Sequence, residues 1–173
     1  MECTRIINHY KKNSGKYICL VFIMFSCCCK AQSVIVSGTN WNAGIPSITE
    51  AGNNYTGTYS SATNQTILNV GLPALLGSVK VYVHYEANPT WNNSLILSAK
   101  RTSNGTTLCV GCVISGGTAY QTVTQTAIEL FRISTILSVT SYSGINIEYQ
   151  LSGVSVTIPA AAYHSKIVFT VSN

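Results

Sequence analysis

Cys109-Val110-Gly111-Cys112 is the spacing in this chain with the most definite chemistry attached to it. Two thiols so placed exchange electrons when they open a helix that follows a strand, because the helix dipole then lowers the thiol pKa. They make half of a zinc ribbon when a second pair stands elsewhere. Here the flanks are strand-like or glycine-rich, as in Ile114-Ser115-Gly116-Gly117, and the other five of the seven cysteines fall within residues 1–31. A local disulfide between Cys109 and Cys112 is therefore the expected chemistry. A loop this short contributes about 2 kcal/mol of chain entropy before strain, so the bond pins a turn and does not hold the fold together.

Acid–base groups are sparse. The sequence has no Asp, and its acids beyond residue 31 are Glu50, Glu86, Glu129 and Glu148. A glycosidase needs two carboxylates facing one bond. Glu86 and Glu148 sit on polar faces of separate strand candidates, where they read as solvated charges. Nucleophilic catalysis needs a base and an orienting group, yet only His84 and His164 are present beyond the leader and no G-x-S-x-G elbow occurs. His84 with Glu86 falls short of a closed metal site, and calcium loops require clustered carboxylates. No enzyme activity, cofactor or metal is expected.

The ligand-binding candidates are aromatic: Trp41, Trp91, Tyr55 and Tyr59, with Asn42, Asn92 and Asn93 beside the tryptophans. Such side chains supply stacking faces for sugars. The competing assignment packs both tryptophans in the core or across the sandwich ends, with the amides satisfied in turns.

The elements that must position these residues read as strands. In Ser78–Glu86, Val79, Val81, Val83 and Tyr85 take one face and Lys80, Tyr82, His84 and Glu86 the other, the period-2 pattern of a half-buried strand. The same alternation runs through Ile145–Leu151, Val154–Ile158 and Ile167–Val171, with Gly153 as a bend and Pro159 closing a strand at Ile158. Weaker candidates are 34–36, 55–59, 66–70, 95–99, 108–114, 120–124 and 127–133. Leu72–Leu76 and Ala127–Leu137 could each hold a helical turn, but the repeated Thr, Ser, Val and Ile favour strand and no segment sustains an apolar 3.6 period. Nine or ten short strands at spacings of about 8–12 residues predict an antiparallel sandwich or barrel.

Residues 1–31 read as a cleaved signal peptide. Arg5, Lys11, Lys12 and Lys16 precede the apolar run Tyr17–Phe25, and Ala31 offers a small-residue exit, so the mature chain is expected to begin at Gln32. The run from Tyr17 to Cys29 is 13 residues, short of the ~20 that span a bilayer. A lipid anchor at Cys27 is disfavoured, because Met24 and Phe25 stand where a lipoprotein signal has Leu and a small residue. The leader also holds five of the ten basic residues and one of the five acids, leaving residues 32–173 at +1. That near-neutral, Thr-, Ser- and Asn-rich segment lacks the basic patch that nucleic acid binding requires.

The stretch Gly144–Ala160, Gly-Ile-Asn-Ile-Glu-Tyr-Gln-Leu-Ser-Gly-Val-Ser-Val-Thr-Ile-Pro-Ala, followed by Ile167-Val-Phe-Thr-Val-Ser-Asn173, resembles the end of bacterial secreted immunoglobulin-like sandwiches of the fimbrial and cell-surface kind. The likeness covers about thirty residues. It implies an immunoglobulin-like sandwich over 32–173 that acts as a structural or adhesive surface protein, secreted or cell-surface, self-associating as a fibre or matrix subunit or binding other surface proteins. The alternative is an extracellular carbohydrate-binding module with glycans as partners. A pilin would carry a disulfide between distant strands, and the pair Cys109–Cys112 departs from that pattern.

Overall fold

The computed structural model describes residues 32–55, 57–72, 77–87, 90–135 and 141–173. The expected leader lies outside them, as do residues 73–76 of the Leu72–Leu76 stretch. Residues 32–173 form one compact unit. Its regular elements among the described residues are strands: β1 (Ser33–Gly38), β2 (Tyr59–Ser60), β3 (Thr66–Gly71), β4 (Gly77–Ala87), β5 (Ile96–Arg101), β6 (Thr106–Thr107), β7 (Val113–Ser115), β8 (Gln121–Thr122), β9 (Ile128–Thr135), β10 (Ser141–Ser152) and β11 (Ser165–Ser172).

Two antiparallel sheets result. The first runs β1-β3-β10-β5-β8, with β2 and β6 also on β10, and the second runs β11-β4-β9-β7. β10 is the spine of the first sheet: β3 pairs with its first half, Ser141–Ile147, and β5 with its second, Ile147–Ser152, while β2 pairs at Gln150–Leu151 and β6 at Tyr142–Ser143. So long a strand bends at Gly144, where φ is +74° and the register against β3 shifts between Tyr142 and Ile145. Only glycine adopts that backbone without strain. The bulge is tied down on both sides, since the Gly144 N–H donates to Asn69 Oδ1 at 2.9 Å and its carbonyl accepts from Ser103 Oγ at 3.0 Å.

The links β3 to β4, β4 to β5, β9 to β10 and β10 to β11 each cross from one sheet to the other. Among the described strands no two consecutive ones pair with each other, whereas an immunoglobulin sandwich contains hairpin neighbours within a sheet. The core lies between the sheets and follows the alternation. Val79, Val81 and Val83 of β4, Leu68 and Val70 of β3, and Ile145, Ile147 and Tyr149 of β10 are buried together. A bulge opposite Val81 and Tyr82 turns both Leu130 and Phe131 of β9 inward. One side of the sandwich is closed by residues 123–124, where the Val123 N–H donates to the Leu97 carbonyl and the Tyr85 N–H to the Thr124 carbonyl, 2.8 and 2.9 Å.

Two strand expectations are corrected. Val154, Val156 and Ile158 form no strand: Gly153 at φ +79° ends β10, a turn from the Ser155 carbonyl to the Ile158 N–H follows, and Val156 is exposed. Gly153 abuts the Ser94 carbonyl, which a Cβ would strike, so the chain turns away from the sheet there. The expected strand at 108–114 is interrupted by the Cys109–Cys112 loop and leaves β6 and β7 on its two sides, in different sheets.

Candidate functional site

The Cys109–Cys112 pair is disulfide-bonded, with Cα atoms 5.5 Å apart. It staples the turn between β6 and β7, a setting without the helix that a thioredoxin-like thiol needs. Cys109 is itself buried at the base of the turn, and its N–H donates to Thr107 Oγ1 at 3.1 Å. The staple therefore lifts its neighbours into solvent. Leu108 and Val110 are each 92% exposed and Val113 is 59% exposed, so three apolar side chains stand on a covalently fixed knuckle.

The aromatic candidates separate into two groups. Trp41 stacks on Tyr149 with centroids 6.3 Å apart, and Trp91 leans on Tyr85 at 5.6 Å; both tryptophans are half-buried against the core. Tyr55 and Tyr59 instead line an open cleft of about 230 Å³, together with Asn53, Asn54 and the strip Pro46–Thr49. Asn54 builds one wall, its Oδ1 accepting from the Tyr55 N–H at 2.8 Å and from the Val156 N–H at 3.0 Å. The lining is uncharged, and its volume is below the ~300–1,000 Å³ of enclosed small-molecule sites. Such a surface suits a neutral hydroxylated ligand lying across tyrosine faces and gives a reacting centre no enclosure.

Glu148 requires a correction, because it is buried and not a solvated face charge. It points from the outer face of the first sheet, but Tyr120 lies over it and donates its hydroxyl to Oε1 at 2.5 Å. Lys100, its cross-strand partner on β5, reaches Oε2 at 3.2 Å and sits 4.4 Å from the centre of the Tyr120 ring. The hydrogen bond to Glu148 raises the Lys100 ammonium above its ordinary pKa, against the opposing pull of burial. The three groups hold one another, and the Tyr120 hydroxyl also meets Ser60 Oγ at 3.4 Å, so the cluster reads as a brace.

Arg101 was a second unnoticed group. It lies on the inward face of β5 with Leu97 and Ala99 and is buried. Its guanidinium donates to the Gly116 carbonyl at 3.0 and 3.2 Å, to the Ser103 carbonyl at 3.1 Å and to the Asn104 side chain, with the Phe131 ring beneath it. Burial lowers its pKa from the usual value. The alternation Leu97, Ala99, Arg101 carried the signal, since a strict period puts Arg101 inside.

Glu86 and Glu148 lie on the outward sides of different sheets, so these two carboxylates do not face a common bond. His84 and Glu86 border a shallow surface depression on β4 with Gln125. Among the described residues no three metal-ligating side chains cluster. The chain matches no family model, no curated protein and no solved structure.

Proposed function

We propose that this chain is an exported, non-enzymatic structural or adhesive surface protein, with residues 1–31 as its cleaved leader. The observation that carries the reading is the stapled knuckle. Leu108 and Val110, 92% exposed, are held in water by a disulfide, and rigid apolar side chains displayed this way favour contact with a partner surface. The rest of the chemistry agrees, since six of the nine charged residues in 32–173 pair as Lys100–Glu148, Arg132–Glu129 and Lys166–Glu86, and that segment is rich in Thr, Ser and Asn. Within the sandwich class the connections favour a jelly-roll winding over the immunoglobulin type. From β3 onward every link except β5 to β6 changes sheet, and β10 returns to lie between β3 and β5.

The test is binding of the secreted protein to producing cells and to their extracellular matrix, beside the double variant Leu108→Ser/Val110→Ser. Retention of the parent and loss in the variant support the reading. Intact mass beginning at Met1, or a parent protein that binds neither material, removes it. A second reading, a glycan-binding module, is favoured by the neutral cleft of Tyr55 and Tyr59. It predicts glycan-array signals that Tyr59→Ala abolishes and Trp41→Ala does not; silence across the array ends it.

A further inference from the structure

Strand β1 opens with Ser33-Val34-Ile35-Val36-Ser37, which reads the same in both directions. We propose that β1 is a homodimer interface, pairing antiparallel with β1 of a second copy about a two-fold axis at Ile35. In that register Ser33 faces Ser37, Val34 faces Val36, and Ile35 faces its own copy, which is the self-complementarity an isologous contact demands.

The fold leaves this strand open. Among the described residues β1 pairs only with β3, in unbroken register from Ser33 to Gly38, so the backbone groups on its far side lie at the edge of the described sheet. The other sheet edges are blunted: β7 has three residues, β8 has two, and β11 carries Lys166. β1 has no charge, no proline and no bulge, none of the devices that normally prevent edge-to-edge pairing.

Burial gives the same answer. Val36 lies opposite buried Leu68 and so faces the core side, yet it is 49% exposed. In the two-fold pair the second copy's Val34 covers Val36, and on the outer face the two Ile35 side chains, now 62% exposed, cover each other. A foreign strand would satisfy the backbone equally well. Only a second copy makes use of the palindrome, and the absence of charge means that its two halves do not repel.

The inference goes beyond the adhesive reading and does not rest on it. A dimer that binds no surface removes only the former reading, and a monomer that binds removes only this one. The experiment is sedimentation and light scattering of protein expressed from the full chain, with Ile35→Lys, Ile35→Glu and an equimolar mixture of the two. Because Ile35 is on the outer face, both variants should still fold, with the parent's far-ultraviolet circular dichroism, while their thermal unfolding loses only what the dimer adds. The parent should be a dimer, and each variant alone should dissociate more than about tenfold more readily, since like charges then stand directly opposite. The mixture should dimerise again. A monomeric parent, variants as dimeric as the parent, or a mixture that stays monomeric overturns the proposal. Independently of those variants, Ile35→Cys should give a covalent dimer with a short bismaleimide, and failure to do so also overturns it.

Discussion

Glu148 and Glu86 occupy equivalent places in the two sheets, each on the outward side of a long strand with a lysine across from it. Their surroundings differ. The Lys100–Glu148 pair has side chains only 27% and 10% exposed, whereas Lys166–Glu86 stands 74% and 54% exposed at 3.0 Å. Part of the difference is position, since Glu86 is the last residue but one of β4, past its pairing with β9, and Glu148 lies inside β10. The rest comes from residue 120, which the β7–β8 connection carries over the first sheet, placing a phenol ring on the lysine and a hydroxyl on the carboxylate. A cover makes a surface ion pair into a structural one, because the removal of one partner then strands the other away from water.

The largest expected effect follows from that contrast. Glu148→Ala leaves the Tyr120 hydroxyl and the Lys100 ammonium without their acceptor, and should lower unfolding free energy by about 2 kcal/mol. Urea denaturation read by tryptophan fluorescence measures it. A loss under about 0.5 kcal/mol would mean that the cover contributes nothing and that the two sheets are energetically alike. Tyr120→Phe sharpens the point. It keeps the ring over Lys100 but removes one charge-assisted hydrogen bond, and should cost about 1 kcal/mol.

What the sequence made legible, and what it hid, divides along the same line. Alternation placed Val79, Val81 and Val83, and likewise Ile145, Ile147 and Tyr149, in the core, because face is a property of the strand alone. It did not place a lid on Glu148, since Tyr120 is 28 residues away in the chain and arrives there through the fold. The same limit misread Val154–Ile158. Their pattern is strand-like, but Gly153 turns the chain off the sheet, and none of the described strands pairs with them. The four aromatic candidates were chosen by type, and tertiary packing divided them into the half-buried tryptophans and the cleft tyrosines. Arg101 was readable, being in phase with Leu97 and Ala99, though its carbonyl partners in 103–116 were not.

Titration should separate the two faces by direction. Lys100 is held above its ordinary 10.5, first by its hydrogen bond to Glu148. A raised folded pKa gives stability that is complete below the unfolded value and is lost as pH rises through the folded one. Glu129 on the second sheet is held below its ordinary 4.5, first by the hydrogen bonds from Arg132 at 2.8 and 3.0 Å. Its stability is present above 4.5 and is lost as pH falls through the lowered value. Tyr149 adds to the alkaline limb, because burial pushes its phenol up to about 12 from 10.0. Thermal unfolding against pH should therefore show an alkaline limb that Lys100→Met reduces without abolishing, and an acid limb that Glu129→Gln flattens. If Lys100→Met instead leaves the alkaline limb untouched, the brace on the first sheet carries no charge-linked stability.

The smallest effect belongs to the open pair and is the control on which the contrast depends. Lys166 and Glu86 meet across β11 and β4 with water on all outward sides, so each side chain gives up rotamer freedom for an attraction that solvent screens. Glu86→Ala should change stability by no more than about 0.5 kcal/mol, and a double-mutant cycle with Lys166→Ala should return a coupling energy in the same small range that vanishes in high salt. A coupling as large as the Glu148 effect would place the stabilisation in the cross-strand geometry that both pairs share. A negligible one leaves the cover as the cause, and makes Tyr120, a residue with no charge, the group that decides which carboxylate matters.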